Sequence, residues 1–134
     1  MFKKHLFHGL LAGLLSSIAC LVFMRVYKEV AFVDFSPVMT IFNIFGACIF
    51  GCVLASVGFF TASKILPRYG EIVFNFLFTI FTFASIIGPI MFTFPPELDV
   101  EGIEEITSYF QPFAMTLHFF PALAWYTVKP IFLK

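Results

Sequence analysis

The 134-residue chain is 60% hydrophobic and 12% charged, with zero formal net charge; an ordinary soluble domain carries about twice that share of charge. With 22 phenylalanines and a mean hydropathy of +0.99, one small aqueous core cannot hide its apolar side chains. Balanced charge without a basic block gives nucleic-acid binding no support, and the fold class that fits is an all-α integral membrane protein.

Four apolar runs reach the roughly 20 residues that a helix needs to cross a bilayer, and open sheets cannot satisfy their backbone in lipid. The first is expected near residues 5–24, behind Lys3 and Lys4. Ser17-Ile18-Ala19-Cys20 has the look of a cleavage site, yet Leu21 to Met24 continue the apolar run, so an uncleaved helix is expected. Gly9, Gly13 and Ser17 recur at spacing four and form a small-residue packing face.

Residues 25–37 connect to the second helix, expected over 38–62, with Ser36 as its N-cap and Pro37 in its first turn. Ala47, Gly51 and Ala55, with Cys48, Cys52 and Ser56 beside them, make the complementary small face, so helices 1 and 2 are expected to pack there. Residues 66–70 are a compact turn. The third helix is expected over 72–94. On it Asn75, Thr79, Thr82, Ser85 and Pro89 form a polar stripe that should face the bundle interior. Phe76, Phe81 and Phe83 fall outside the stripe and can meet lipid.

Pro95 and Pro96 end this helix, and an acidic loop follows over 95–111. Within it Val100, Ile103, Ile106 and Phe110 recur at helical spacing, predicting a short helix on the membrane surface. The fourth span is expected over 112–132. The architecture is therefore an antiparallel four-transmembrane-helix bundle, one domain over 1–134, with a short outer interfacial helix.

Lys3, Lys4, Lys64, Arg68, Lys129 and Lys134 fall on one side of this topology. The opposite side has Arg25 and Lys28 among seven acids. The excess of basic residues predicts both termini in the cytoplasm.

His118 stands out, because ionisable residues inside a membrane are functional suspects. It lies about 9 Å below the outer edge of its span. Asn43 enters at a similar depth, and Thr82 and Ser85 approach it from the third helix. These four define a candidate ligand site. A purely structural tie between helices 4 and 3 is the competing reading. His5 and His8 sit near the opposite end, more than about 10 Å away in depth, which disfavours a bis-histidine haem. Cys20, Cys48 and Cys52 form no CxxC motif, and packing accounts for them. No catalytic constellation, metal site or cofactor is expected, and the chain reads as a non-enzyme.

Two functions follow from this reading. The leading one is a small non-enzymatic accessory or structural subunit, packing with itself or with a larger membrane partner. The other is a binder or transporter of a membrane lipid, quinone or other small apolar molecule, held around His118. A proton path is the weakest, since no Asp or Glu lies within the spans.

GLLAGLLSS at 9–17, SIIGP at 85–89 and TLH at 116–118 together resemble a bacterial four-transmembrane-helix family, an uncharacterised domain of unknown function. The acidic outer loop is longer than that family's pattern. The resemblance implies a four-helix bundle in a bacterial cytoplasmic membrane and supplies no activity.

Overall fold

The computed structural model describes residues 1–95 and 103–133. Five helices follow in order: α1 Phe2–Ala31, α2 Ile41–Ile65, α3 Gly70–Ser85, α4 Ile87–Met91 and α5 Ile103–Phe132. The described residues contain helices and connections, without strands. Phe2–Ala31, Ile41–Ile65 and Gly70–Met91 are each long and apolar enough to cross a membrane.

Helices α1, α2 and α5 form the packed part of the molecule. The N-terminus, the α2–α3 turn and the end of α5 meet at one end. There Lys129 Nζ lies 2.5 Å from Glu71, and His5 packs against the rings of Phe59 and Phe60. At the other end the α1–α2 connection meets the start of α5. Tyr27 donates to the carbonyl of Tyr109 at 2.8 Å, and Phe35 stacks on Phe113 at 5.0 Å. We call these the turn end and the loop end. Each has its own core. Phe35, Phe110, Phe113 and Leu117 lead the one at the loop end. Phe59, Phe74, Trp125 and Val128 lead the one at the turn end.

The α1–α2 contact depends on two glycines. A Cβ at Gly13 would sit 2.6 Å from the Cα of Ile49, and one at Gly9 2.8 Å from the Cα of Val53. The two backbones touch, as small-residue faces in membranes allow. Ser17 is buried at the same interface and bonds back to the carbonyl of Gly13. The expected partner face on α2 needs correcting, however. Ile49, Cys52, Val53 and Ser56 meet the glycines of α1. Ala47, Gly51 and Ala55 are turned aside toward α3, and a Cβ at Gly51 would find open space. Glycine on one helix makes enough room, so larger residues can oppose it.

α3 is the least covered helix, burying only Gly70 and Phe74. Gly70 presses on the backbone of Ala62, and Gly58 faces the Phe74 ring. Beyond these contacts α3 follows α5 instead. Tyr126 donates to the carbonyl of Asn75 at 3.2 Å, and Phe83 meets Phe119 at 5.5 Å. α2 and α3 therefore diverge toward the loop end.

Several expected element ends shift. Ser36 does not cap α2; Thr40 does, accepting from the Asn43 N–H at 3.3 Å. Ser36 N–H is instead held by Asp34, whose short side chain competes for local backbone donors. Lys28 and Ser36 beside it hold the Asp34 carboxyl well below the usual carboxylate range. α1 runs to Ala31, where Phe32 takes a left-handed conformation (φ 57°) and its N–H returns to Lys28. The third apolar run breaks at Ile86, between α3 and α4, next to the missing N–H of Pro89.

The separate surface helix is not seen as such. Residues 103–111 belong to the same helix as 112–132. Phe110 and Phe113 are both buried against Phe35, so tertiary packing carries the helix through Pro112. Val100, with the loop acids Glu97, Asp99 and Glu101, lies outside the described residues, as do Pro96 and Lys134.

Candidate functional site

The divergence of α2 and α3 opens a groove of about 800 Å³, floored by α5. Its α2 wall is made of small residues, chiefly Ala47, Gly51, Ala55 and Gly58. Phe74, Phe78 and Phe81 supply most of the α3 wall. All four expected ligand-site residues, Asn43, Thr82, Ser85 and His118, line this groove. They lie toward its loop end, and they give an otherwise apolar cleft its few polar atoms.

Their hydrogen bonds assign donors and acceptors. Thr82 donates to the carbonyl of Phe78 at 2.8 Å. Ser85 donates to the carbonyl of Thr82 at 2.7 Å. The single hydroxyl proton of Ser85 is thereby used. His118 Nδ1, 3.1 Å from Ser85 Oγ, must be the donor in that pair, since a hydroxyl carries only one hydrogen. A neutral imidazole in this tautomer keeps Nε2 as an acceptor. The side-chain amide of Asn43 adds both donors and an acceptor to the lining.

The same hydroxyl bonds explain why the polar stripe of α3 is less inward than expected. Thr79 donates to the carbonyl of Asn75, one turn back on its own helix. A hydroxyl satisfied in this way does not need a partner helix, and Thr79 and Ser85 are exposed.

A second polar constellation escapes the sequence reading. His8, Ser56 and Trp125, from α1, α2 and α5, are each fully buried, at 0% exposure. Trp125 Nε1–H donates to Ser56 Oγ at 2.9 Å. Ser56 Oγ lies 3.1 Å from His8 Nδ1, and His8 Nε2 lies 2.9 Å from the carbonyl of Trp125. The carbonyl can only accept, so Nε2 carries the proton and Ser56 donates to Nδ1. The result is a closed ring of three bonds through three helices. Lys129 covers it from the turn end, over the rings of Phe59 and Trp125. Matching depth was the available signal: in an antiparallel bundle these positions share a level near the turn end. Their rotation about each helix axis is what the sequence leaves open.

Cys20 and Cys48 lie side by side at 3.8 Å between sulfurs, across the α1–α2 interface, and all three cysteines are free and buried. Among the described residues, no three His, Cys, Asp or Glu side chains converge on one point. The closed ring has every polar atom engaged, whereas the groove keeps acceptors open. The groove is therefore the candidate site. No family model, curated protein or solved structure matches the chain.

Proposed function

We propose that this protein binds a single-chain lipid in the groove between α2, α3 and α5, with the lipid's polar end toward His118. The dimensions of the groove carry this reading. At about 1.5 Å per residue, the stretch of α2 from Asn43 to Ala62 runs about 29 Å. Spread over that length, the groove volume of about 800 Å³ gives a mean cross-section of about 28 Å². A hydrocarbon chain at carbon contact distances of roughly 4 Å occupies about 20 Å². A helix with side chains is roughly 10 Å wide and needs about 80 Å². One acyl or prenyl chain fits the space. Apolar walls with a few polar groups at one end are the usual form of such sites.

Filling the groove tests this. Gly51→Trp places an indole where a Cβ meets open space, so the helix contacts that hold the fold are left alone. Native mass spectrometry from mild detergent is expected to show a retained single-chain lipid on the unaltered protein and its loss from Gly51→Trp. Equal retention by both proteins, or a lipid-free unaltered protein, would refute the reading.

A second reading, an accessory subunit that packs with itself or a larger membrane partner, is favoured by the nearly uncovered outer face of α3. The same spectra report copy number, and a strictly monomeric protein without crosslinked partners in cells would remove that reading.

We also infer four spans with both termini in the cytoplasm of a bacterium. The positions of Lys3, Lys4, Lys64, Arg68 and Lys129 at the turn end support this, against Arg25 and Lys28 at the other. α5 is not among the three helices apolar enough by themselves to cross a membrane, but its Trp125 is turned inward, away from lipid. Cysteines introduced as Ser36→Cys and Lys64→Cys give the check. An impermeant maleimide on intact cells is expected to label the first, and the second only after lysis. Labelling of both, or the reverse order, would overturn the topology.

A further inference from the structure

The groove's polar end specifies more than a lipid. We infer that its ligand is a single-chain lipid alcohol or phenol, recognised through a hydroxyl that donates to His118 Nε2; this rests on the groove reading above. The argument follows the chain of bonds from α3 to α5. The carbonyl of Thr82 takes the proton of Ser85. Ser85 Oγ then takes the proton of His118 Nδ1. The imidazole is left with one bare lone pair, on Nε2, and no protein group among the described residues satisfies it. The exposed side chain carrying that lone pair lines the groove.

The neighbouring backbone points the same way. Pro121, also in the lining, has no N–H to give to the carbonyl of Leu117 one turn earlier. The carbonyl of Leu117 thus lacks its usual donor one turn on, next to the open Nε2 of His118. Among the described residues no lysine or arginine lines the groove, so no basic side chain there selects a phosphate or carboxylate. The remaining polar wall residue, Asn43, offers an amide that both donates and accepts. A hydroxyl answers this pattern: its hydrogen goes to His118 and its oxygen can take a proton from Asn43. A quinone, an ester or an ether has only acceptors, and would leave Nε2 facing another lone pair.

The pair geranylgeraniol and its O-methyl ether separates the two steps of this inference. Both have the same prenyl chain, and only the alcohol can donate. Binding is measured by titration into detergent-solubilised, delipidated protein, followed by native mass spectrometry. The unaltered protein is expected to bind the alcohol about tenfold more tightly than the ether, the weight of one buried hydrogen bond. His118→Ala is expected to abolish the preference, so that the alcohol and the ether bind with equal affinity. If the unaltered protein binds both equally, or if His118→Ala keeps the preference, the hydroxyl inference is overturned and the groove reading stands. If neither compound binds, the groove reading falls first.

Discussion

Ser56→Ala is expected to destabilise the protein by about 2 kcal/mol, although it removes a single oxygen. Two magnitudes compete over that figure. Measured hydrogen bonds between membrane helices average only about 0.6 kcal/mol, because the unfolded chain in lipid also finds partners. Leaving a buried donor or acceptor with no partner costs about 1–3 kcal/mol. Ser56 both accepts from Trp125 and pairs with His8 Nδ1, so its loss orphans two groups at once. Both rings are fully enclosed, and water cannot substitute. The larger figure therefore wins. Thr79→Ala is the internal control. Its hydroxyl is exposed and bonds its own helix, and its removal is expected to cost less than about 0.5 kcal/mol. Trp125→Phe removes the indole donor, so the double substitution with Ser56→Ala should cost less than the two singles together, with a coupling of about 1 kcal/mol. Reversible unfolding in mixed micelles measures all four proteins. Equal stability of Ser56→Ala and Thr79→Ala would show that the ring does not hold the helices.

The ring also marks the boundary of what could be read from residues alone. Apolar runs of sufficient length force helices in lipid, so the long helices were legible. Depth is legible too: by residue count from the helix ends Asn43, Thr82, Ser85 and His118 share a level, and they line one groove. Rotation is not. Ala47, Gly51 and Ala55 have the same spacing as Gly9, Gly13 and Ser17, yet only the second set reaches the α1–α2 interface. Either face of α2 could have met α1 on size alone. The face that meets α1 includes Ser56, whose hydroxyl finds Trp125 and His8 there. Local signals failed where tertiary packing outweighed them. Ser36-Pro37 has the composition of a helix start, but Asp34 holds the Ser36 N–H and α2 begins after Thr40. Pro112 looks like a boundary between a surface helix and a span, but Phe110 and Phe113 bury on either side of it.

Gly13→Leu is expected to abolish accumulation of folded protein, and the milder Gly13→Ala shows why. At an exposed helix interior, replacing glycine by alanine favours the helix by up to about 1 kcal/mol. Gly51 is half-buried along the groove, but nothing lies near its missing side chain, so Gly51→Ala is expected to be neutral or mildly stabilising. At Gly13 the same methyl would meet the Cα of Ile49 at 2.6 Å. A backbone atom cannot rotate away as a side chain can. α1 and α2 must separate, and overpacking of this sort costs about 1–3 kcal/mol. The net effect of Gly13→Ala is therefore destabilising, opposite in sign to Gly51→Ala. Leucine adds three more carbons in the same direction. The separation it forces also pulls Gly9 from Val53 and stretches the His8–Ser56 bond, so several losses arrive together. Thermal unfolding in detergent separates the alanine pair, and fluorescence-detected size exclusion reports whether the leucine variant folds. A Gly13→Ala protein as stable as Gly51→Ala would mean that the helices do not touch at Gly13. The ring and the groove would then both lose the register on which they depend.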